Sequence, residues 1–207
     1  MHMPMMGRPA LLVLLVLALA VTAGAEAHEL GNRPSLSLEM SAVQLSTSNR
    51  ASVWGGQLRV TVAVHERIDI VESATLLFLP VGTAVHNDLR LRFWGGPAGR
   101  WHPAYAAEVG YLVQSQDWLV TAPGPGVVHG ASIGGTWRFP LDVLRSGYVL
   151  AKWAYVMRAD APNMTIFNCS VSWNLSQTIG LRVGGDIHRG LQRLKYSGFI
   201  VGMSFSL

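Results

Sequence analysis

From Thr165 to Ser176 the chain reads TIFNCSVSWNLS. Thr165, Phe167, Cys169, Val171, Trp173 and Leu175 fall on one face, and Asn168, Ser170, Ser172, Asn174 and Ser176 on the other. A period of two is the side-chain period of a β-strand, whereas a helix would spread these polar groups around its whole circumference. The same alternation marks Gln57–His65, Asp88–Trp94, Tyr105–Val113, Gly147–Arg158, Thr178–His188 and Lys195–Leu207. In the last of these, Phe199, Val201, Met203, Phe205 and Leu207 oppose Gly198, Gly202, Ser204 and Ser206. Ser35–Leu45, Ile68–Leu79 and Val127–Phe139 carry less regular versions of the pattern, and Ile68–Leu79 is compatible with one strand or two.

These segments are long for strands. About 10 residues at 3.3 Å each, tilted by roughly 45°, cover about 23 Å, close to the apolar band of a membrane barrel. The face opposite the apolar one is built from Ser, Asn, Thr and Gly with occasional charges, and no helix of useful length is available to cover a sheet. The expectation is an all-β fold: a closed antiparallel transmembrane up-and-down β-barrel of about 8–10 strands, at about 18–22 residues per strand and connection. Seven Trp and five Tyr are spread along the chain. Trp54, Trp94, Trp118, Trp137 and Trp173 lie near strand ends, where interfacial aromatic girdles fall.

The segment before the strands is of another kind. Ala10 to Val21 is uninterrupted apolar sequence, preceded by Arg8 and followed by AGAEA. That is the layout of a secretory signal peptide, cleaved after Ala25 or Ala27. Residues 1–27 are therefore assigned to a leader and 28–207 to a single barrel domain. Working back from the C-terminus places Gly184 to Lys195 and Arg158 to Met164 in external loops. The short turn at Ser176-Gln177 and the stretch Pro140 to Ser146 then fall on the periplasmic side.

Composition narrows the function classes. The 207 residues are 50% hydrophobic and only 14% charged, against about 25% charged in soluble domains. Net charge is +4, with no clustering of cations that would suit nucleic acid. The single cysteine, Cys169, excludes a disulfide scaffold and a cysteine-rich metal site. No cofactor motif is present.

The chain ends IVGMSFSL, with Gly202, Phe205 and Leu207 at the places of a glycine followed by two alternating hydrophobics. This resembles the C-terminal assembly signal of bacterial outer-membrane barrels. It departs from that signal at Ile200, where a polar residue is usual, and at a terminal Leu in place of an aromatic. The whole chain resembles small outer-membrane barrels of the OmpA/OmpW-like kind. The resemblance implies residence in the cell outer membrane, with its lipid and the barrel assembly machinery as partners.

A barrel of this size has an interior filled by side chains rather than a wide pore. The inward candidates are Arg59, His65, Arg90, Arg92, Glu108, Lys152, Arg158, Arg182, Asp186 and His188. Charges held away from water must pair or stay hydrated. The expected arrangement is a polar lumen network of Arg59, Glu108, Lys152, Arg158, Arg182, Asp186 and His188. A narrow cation-lined path for a small solute is its functional version. His65, His102 and His188 lie on unrelated segments, so no metal site is expected.

Three function classes follow. The first is a non-enzymatic outer-membrane barrel that is structural, surface-exposed or a small-solute conduit. The second is a secreted soluble barrel holding a hydrophobic ligand, with the Phe199–Phe205 face inside. The third is an outer-membrane lipid-modifying hydrolase, in which His188 with Asp186 activates Ser204 or Ser206 on the neighbouring strand.

Overall fold

The computed structural model describes residues 36–47, 52–79, 82–95, 104–114, 127–141, 147–159, 162–176, 178–190 and 195–206. The leader assigned to 1–27, Trp118 and Leu207 lie outside them. Ten strands follow one another: β1 Leu36–Thr47, β2 Ser52–His65, β3 Ile68–Leu79, β4 Gly82–Trp94, β5 Ala104–Gln114, β6 Val128–Leu141, β7 Gly147–Arg158, β8 Met164–Asn174, β9 Ile179–Gly190 and β10 Lys195–Ser206. Each pairs antiparallel with its neighbour in sequence, and β1 pairs with β10, so the sheet closes.

Ile68–Leu79 is thus one strand, and the even count brings both strand termini to the same end of the barrel, here the terminal end. Two glycine pairs lie inside strands. Gly184 and Gly185 lie in register within β9, and Gly134 and Gly135 within β6. The strand β9 runs on to Gly190, so the connection expected at Gly184 to Lys195 shrinks to residues 191–194. Similarly, β6 continues through Pro140 to Leu141. A strand of 12 residues, as in β7, spans about 28 Å of height at 45° tilt.

Alternation is carried through the whole ring. Phe199, Val201 and Met203 are 43%, 41% and 43% exposed on the outer surface. Phe78, Leu91, Tyr105, Ile133, Phe167 and Ile187 are exposed there too. The soluble-barrel reading required these faces inside and is overturned by their placement outside. Such an apolar wall is stable only against hydrocarbon, and the closed ring leaves no unpaired strand edge within it. Of the aromatic positions, Trp54 and Trp137 stand outside, with Trp54 edge-on to Phe199 at a centroid distance of 6.0 Å. Trp94 does not join a girdle: its indole N–H donates to Asp69 Oδ2 at 2.6 Å, on the inner face.

One carboxylate interrupts the middle of the outer wall. Glu72 of β3 pairs in register with Val60 and Leu89, both outward, and is hydrogen-bonded by Asn87 of β4. Neighbouring side chains cover it to 7% exposure. A carboxyl group on this wall is tolerated because its neighbours cover it and Asn87 gives it a hydrogen bond.

Two outcomes follow from this surface. The substitution Val201→Arg, in the middle of the lipid-facing part of β10, should cost about 2–4 kcal/mol in urea unfolding from bilayers. Loss of the heat-modifiable folded band on a cold SDS gel would accompany it; an unchanged midpoint would contradict the lipid-facing assignment. The double substitution Glu72→Leu with Asn87→Leu should leave stability unchanged or raise it by roughly 1 kcal/mol in the same assay.

Candidate functional site: the lumen

The inner face has two chemically distinct zones. Toward the far end, opposite the termini, lies a cluster of buried Val43, Leu45, Val53, Leu77, Ala84, Leu112, Ala154, Val156, Met164, Ile166 and Ile200. Toward the terminal end, five cations (Arg59, Arg90, Arg92, Lys152, Arg182) meet five carboxylates (Glu39, Asp69, Asp88, Glu108, Asp186).

Glu108 of β5 is the hub of one half. Its Oε1 accepts from Arg92 Nε at 2.8 Å and from Thr136 Oγ1 at 2.7 Å. Its Oε2 accepts from Arg90 Nη1 at 3.1 Å and lies 3.5 Å from Lys152 Nζ. Arg90 also pairs with Asp88, two positions along β4 on the same face. Arg92 lies 3.8 Å from Asp69 and stacks over the Trp94 ring at 5.6 Å. Space for this crowd comes from a missing side chain. Gly110 stands in register beside Arg90, and a Cβ there would come within 2.6 Å of Arg90 Cγ.

Arg182 of β9 organises the other half. Its Nη1 donates to both Glu39 oxygens, at 2.7 and 2.9 Å, its Nε to Ser170 Oγ at 2.8 Å, and its Nη2 to Asn168 Oδ1 at 2.7 Å. Asn168 passes the chain on, donating to Asp186 Oδ1 at 2.9 Å. Arg59 donates to Glu39 Oε2 and to Gln57 Oε1, each at 3.3 Å. Glu39 sits on β1 and Arg182 on β9, so their contact crosses β10. It crosses at Gly202, which lies in register between Ser41 and Arg182, where a Cβ would stand 2.1 Å from Ser41 Oγ.

The structure therefore brings Arg59, Glu108, Lys152, Arg182, Asp186 and His188 onto one lumen wall system, together with Arg90 and Arg92. One expected member, Arg158, and one further inward candidate, His65, stand apart. Arg158 faces inward at the far rim, where its Nε donates to the Pro162 carbonyl at 2.6 Å rather than to a network carboxylate. His65 lies beyond a register shift between Ala63 and His65, exposed at the terminal-end turn, with its Nδ1 accepting from the Arg67 amide at 3.4 Å. The partners Glu39, Asp69, Asp88 and Asn168 were not in the expected network. Their signal was present: Ser37, Glu39 and Ser41 alternate with Leu36, Leu38 and Met40. Of the assembly-signal residues, Phe205 faces outward beside Leu38, Gly202 faces inward, and Leu207 lies outside the described residues.

The nucleophile–base pair does not form. Ser204 pairs with Gly180, eight positions from His188 along β9, a separation of about 26 Å. His188 does approach Asp186, with Nε2 3.7 Å from Oδ2. Between the zones lies a small cavity of about 60 Å³, lined by Val43, Leu45, Leu77 and Ile166 on its apolar side and by polar network residues on the other. That is room for a few water molecules.

An antiparallel ring of ten strands with an apolar exterior and a paired, charged interior is the architecture of outer-membrane β-barrels, and in fold this chain is one of them. No protein-family model and no curated protein matches the sequence. Among solved structures it is similar to the NanC porin, at TM-score 0.49 and 10% identity over 81% of this chain and 100% of that one. It is also similar to the KdgM porin, at TM-score 0.45 and 11% identity over 83% and 99%. The Escherichia coli outer membrane protease OmpT aligns at TM-score 0.46 and 8% identity over 84% and 94%. The likeness in each case is one of fold.

The hub generates a stability prediction. Glu108→Gln leaves Arg90, Arg92 and Lys152 facing one another without their shared carboxylate, and should cost about 3–5 kcal/mol in urea unfolding. Removing one carboxylate at the rim of the network, Asp69→Asn, should cost less, because Arg92 keeps Glu108. Equal losses for the two variants would contradict the central place of Glu108.

Proposed function

We propose that this protein is a non-enzymatic outer-membrane barrel whose lumen is closed at neutral pH, so that its resting role is structural and surface-displaying rather than that of an open pore. The observation that carries this reading is the filling of the lumen. Five network cations face five carboxylates, the inward Arg138 stacks over the Tyr148 ring and Arg158 donates to the Pro162 carbonyl, an apolar cluster covers the network toward the far end, and the cavity between holds about 60 Å³. A water-filled conduit would need charges facing solvent rather than one another. In this reading residues 1–27 export the chain, the assembly machinery engages the last strand through Gly202, Phe205 and Leu207, and outer-membrane lipid solvates the wall. The far end, with its connections at 115–126 and 191–194, faces the cell exterior. The separation of Ser204 from His188 argues against the hydrolase alternative.

Refolded protein in a planar lipid bilayer tests the proposal. At about pH 7.5, a value at which free imidazole is mostly neutral, it should show no sustained conductance while running as a heat-modifiable band. A steady ohmic pore under those conditions would overturn the closed-lumen reading.

A further inference from the structure

The outer wall is not evenly filled. On β7, β8 and β9 the outward positions Ala151, Cys169 and Gly185 stand side by side in register. One outward row nearer the far end, the same strands carry Trp153, Phe167 and Ile187, and one row nearer the termini they carry Val149, Val171 and Val183. Three small side chains between larger ones leave an apolar groove, bounded on the β6 side by Trp137. No close contact among the described residues requires the gap at Gly185. A Cβ on Gly184, which faces the lumen, would stand 2.4 Å from Ser170 Cβ. A Cβ on Gly185 would meet nothing nearer than the Gly198 carbonyl oxygen at 3.5 Å, an ordinary contact. The floor of the groove is thus open to the bilayer.

The next outward row toward the far end is polar. It consists of Tyr155, Thr165, Arg189 and Lys195, in register across β7 to β10. Arg189 is exposed, and no carboxylate among the described residues pairs with it. The Tyr155 hydroxyl accepts from Asn163 Nδ2 at 3.0 Å, which leaves its own proton to donate. The apolar groove therefore ends at a row of donors with an uncompensated positive charge, at the level where the apolar wall stops. Headgroup phosphates lie at that level in a bilayer. We propose that this face holds one phosphate-bearing membrane lipid, with its phosphate on Arg189 and one acyl chain over Ala151, Cys169 and Gly185. Charge complementarity selects this occupant. A planar guanidinium offers two parallel N–H groups to two phosphate oxygens. Lys195 adds a second cation at the neighbouring register position. Gly185 lies four positions from Arg189, about 13 Å along the strand, within the length of an ordinary acyl chain. The site needs only the lipid-facing wall and its far-end boundary, and does not depend on whether the lumen is closed.

Native mass spectrometry of the refolded barrel, released from a non-ionic detergent, tests this with dimyristoyl phosphatidic acid and dimyristoylglycerol. The two probes share their chains and differ by the phosphate. Wild-type protein should retain one phosphatidic acid, with an apparent Kd at least about tenfold below that for dimyristoylglycerol. Arg189→Gln should bring phosphatidic acid to the level of dimyristoylglycerol. Gly185→Leu, whose Cβ has room, fills the gap and should weaken both lipids. Arg67→Gln removes an exposed arginine from the β2–β3 turn at the opposite end, and should change neither. All three variants should keep the heat-modifiable band, because none touches the lumen network. Equal retention of the two lipids by wild type, or retention unchanged in Arg189→Gln or in Gly185→Leu, would overturn the site. So would an effect of Arg67→Gln as large as that of Arg189→Gln, which marks attraction without a site. A dimer mass in place of the lipid adduct would also overturn it, by placing a second copy on this face.

Discussion

Every backbone amide and carbonyl inside a bilayer has to be bonded within the protein, because an unsatisfied group in hydrocarbon costs several kcal/mol. For a sheet this demand has one solution, pairing of the first strand with the last. Here β1 meets β10 from Ser37↔Ser206 to Thr47↔Tyr196. The pairing removes the edges, makes the strand number even for an antiparallel ring, and settles which side chains point into the lumen. It also places β1 and β9 on either side of a single strand. Arg182 can then reach Glu39 across β10, and it does so at Gly202, where no side chain stands in the way. The seam is thus held by backbone bonds along its length and by a charged contact across it.

The interior solves a second problem created by the first. A wall that is apolar outside leaves its polar residues inside, where ten strands enclose little water. Charges there are stable only when matched, and removing one partner costs more than the pair itself contributes. Glu108 and Arg182 meet this condition differently. Glu108 is an acceptor shared by three cations and a hydroxyl, whereas Arg182 is a donor shared by a carboxylate, a hydroxyl and an amide. Such shared groups couple their neighbours, so the network resists change as a unit. The apolar cluster at the far end excludes the water that would otherwise compete for these hydrogen bonds.

Much of this was legible in the residue pattern. All ten strands had been marked, and Gly147–Arg158 and Ile68–Leu79 end where the alternation ends. Side-chain parity is a local property, so the inward direction of Arg59, Glu108, Lys152, Arg182 and Asp186 could be read directly. Their partners could not, because register is non-local: nothing in the sequence near Arg182 points to Glu39, 143 positions away. Parity itself failed where a local irregularity intervened. The shift at Ala63/His65 carried His65 out to the turn. The place of Trp94 near a strand end suggests an interfacial girdle, although its parity faces Asp69 in the lumen. The Ser204–His188 pair failed for a different reason. Adjacent strands on one face are neighbours only at matching heights, and the antiparallel register sends these two to opposite ends.

Glu72 shows which interactions decide parity when charge alone does not. Sliding β3 by one residue would bring Glu72 into the lumen, but it would turn Asp69 out to lipid, leaving one carboxylate on each side as before. The uncharged residues do discriminate: the slide would turn Ser73 and Thr75 out to lipid, break the bond that Gln57 Nε2 donates to Thr75 Oγ1 at 3.0 Å, and bring Ile70, Leu76 and Phe78 into the lumen. The company Asp69 keeps adds to that preference. In the observed register it accepts from the Trp94 indole and lies beside Arg92, which is itself held by Glu108. Glu72, shifted inward, would sit higher on the wall and lose Asn87. The two-residue turn at Glu66-Arg67 gives β2 and β3 little slack for such a slide. The cost of one sheltered carboxylate on the outer wall is therefore accepted for a lumen in which Asp69 closes the terminal-end side of the network.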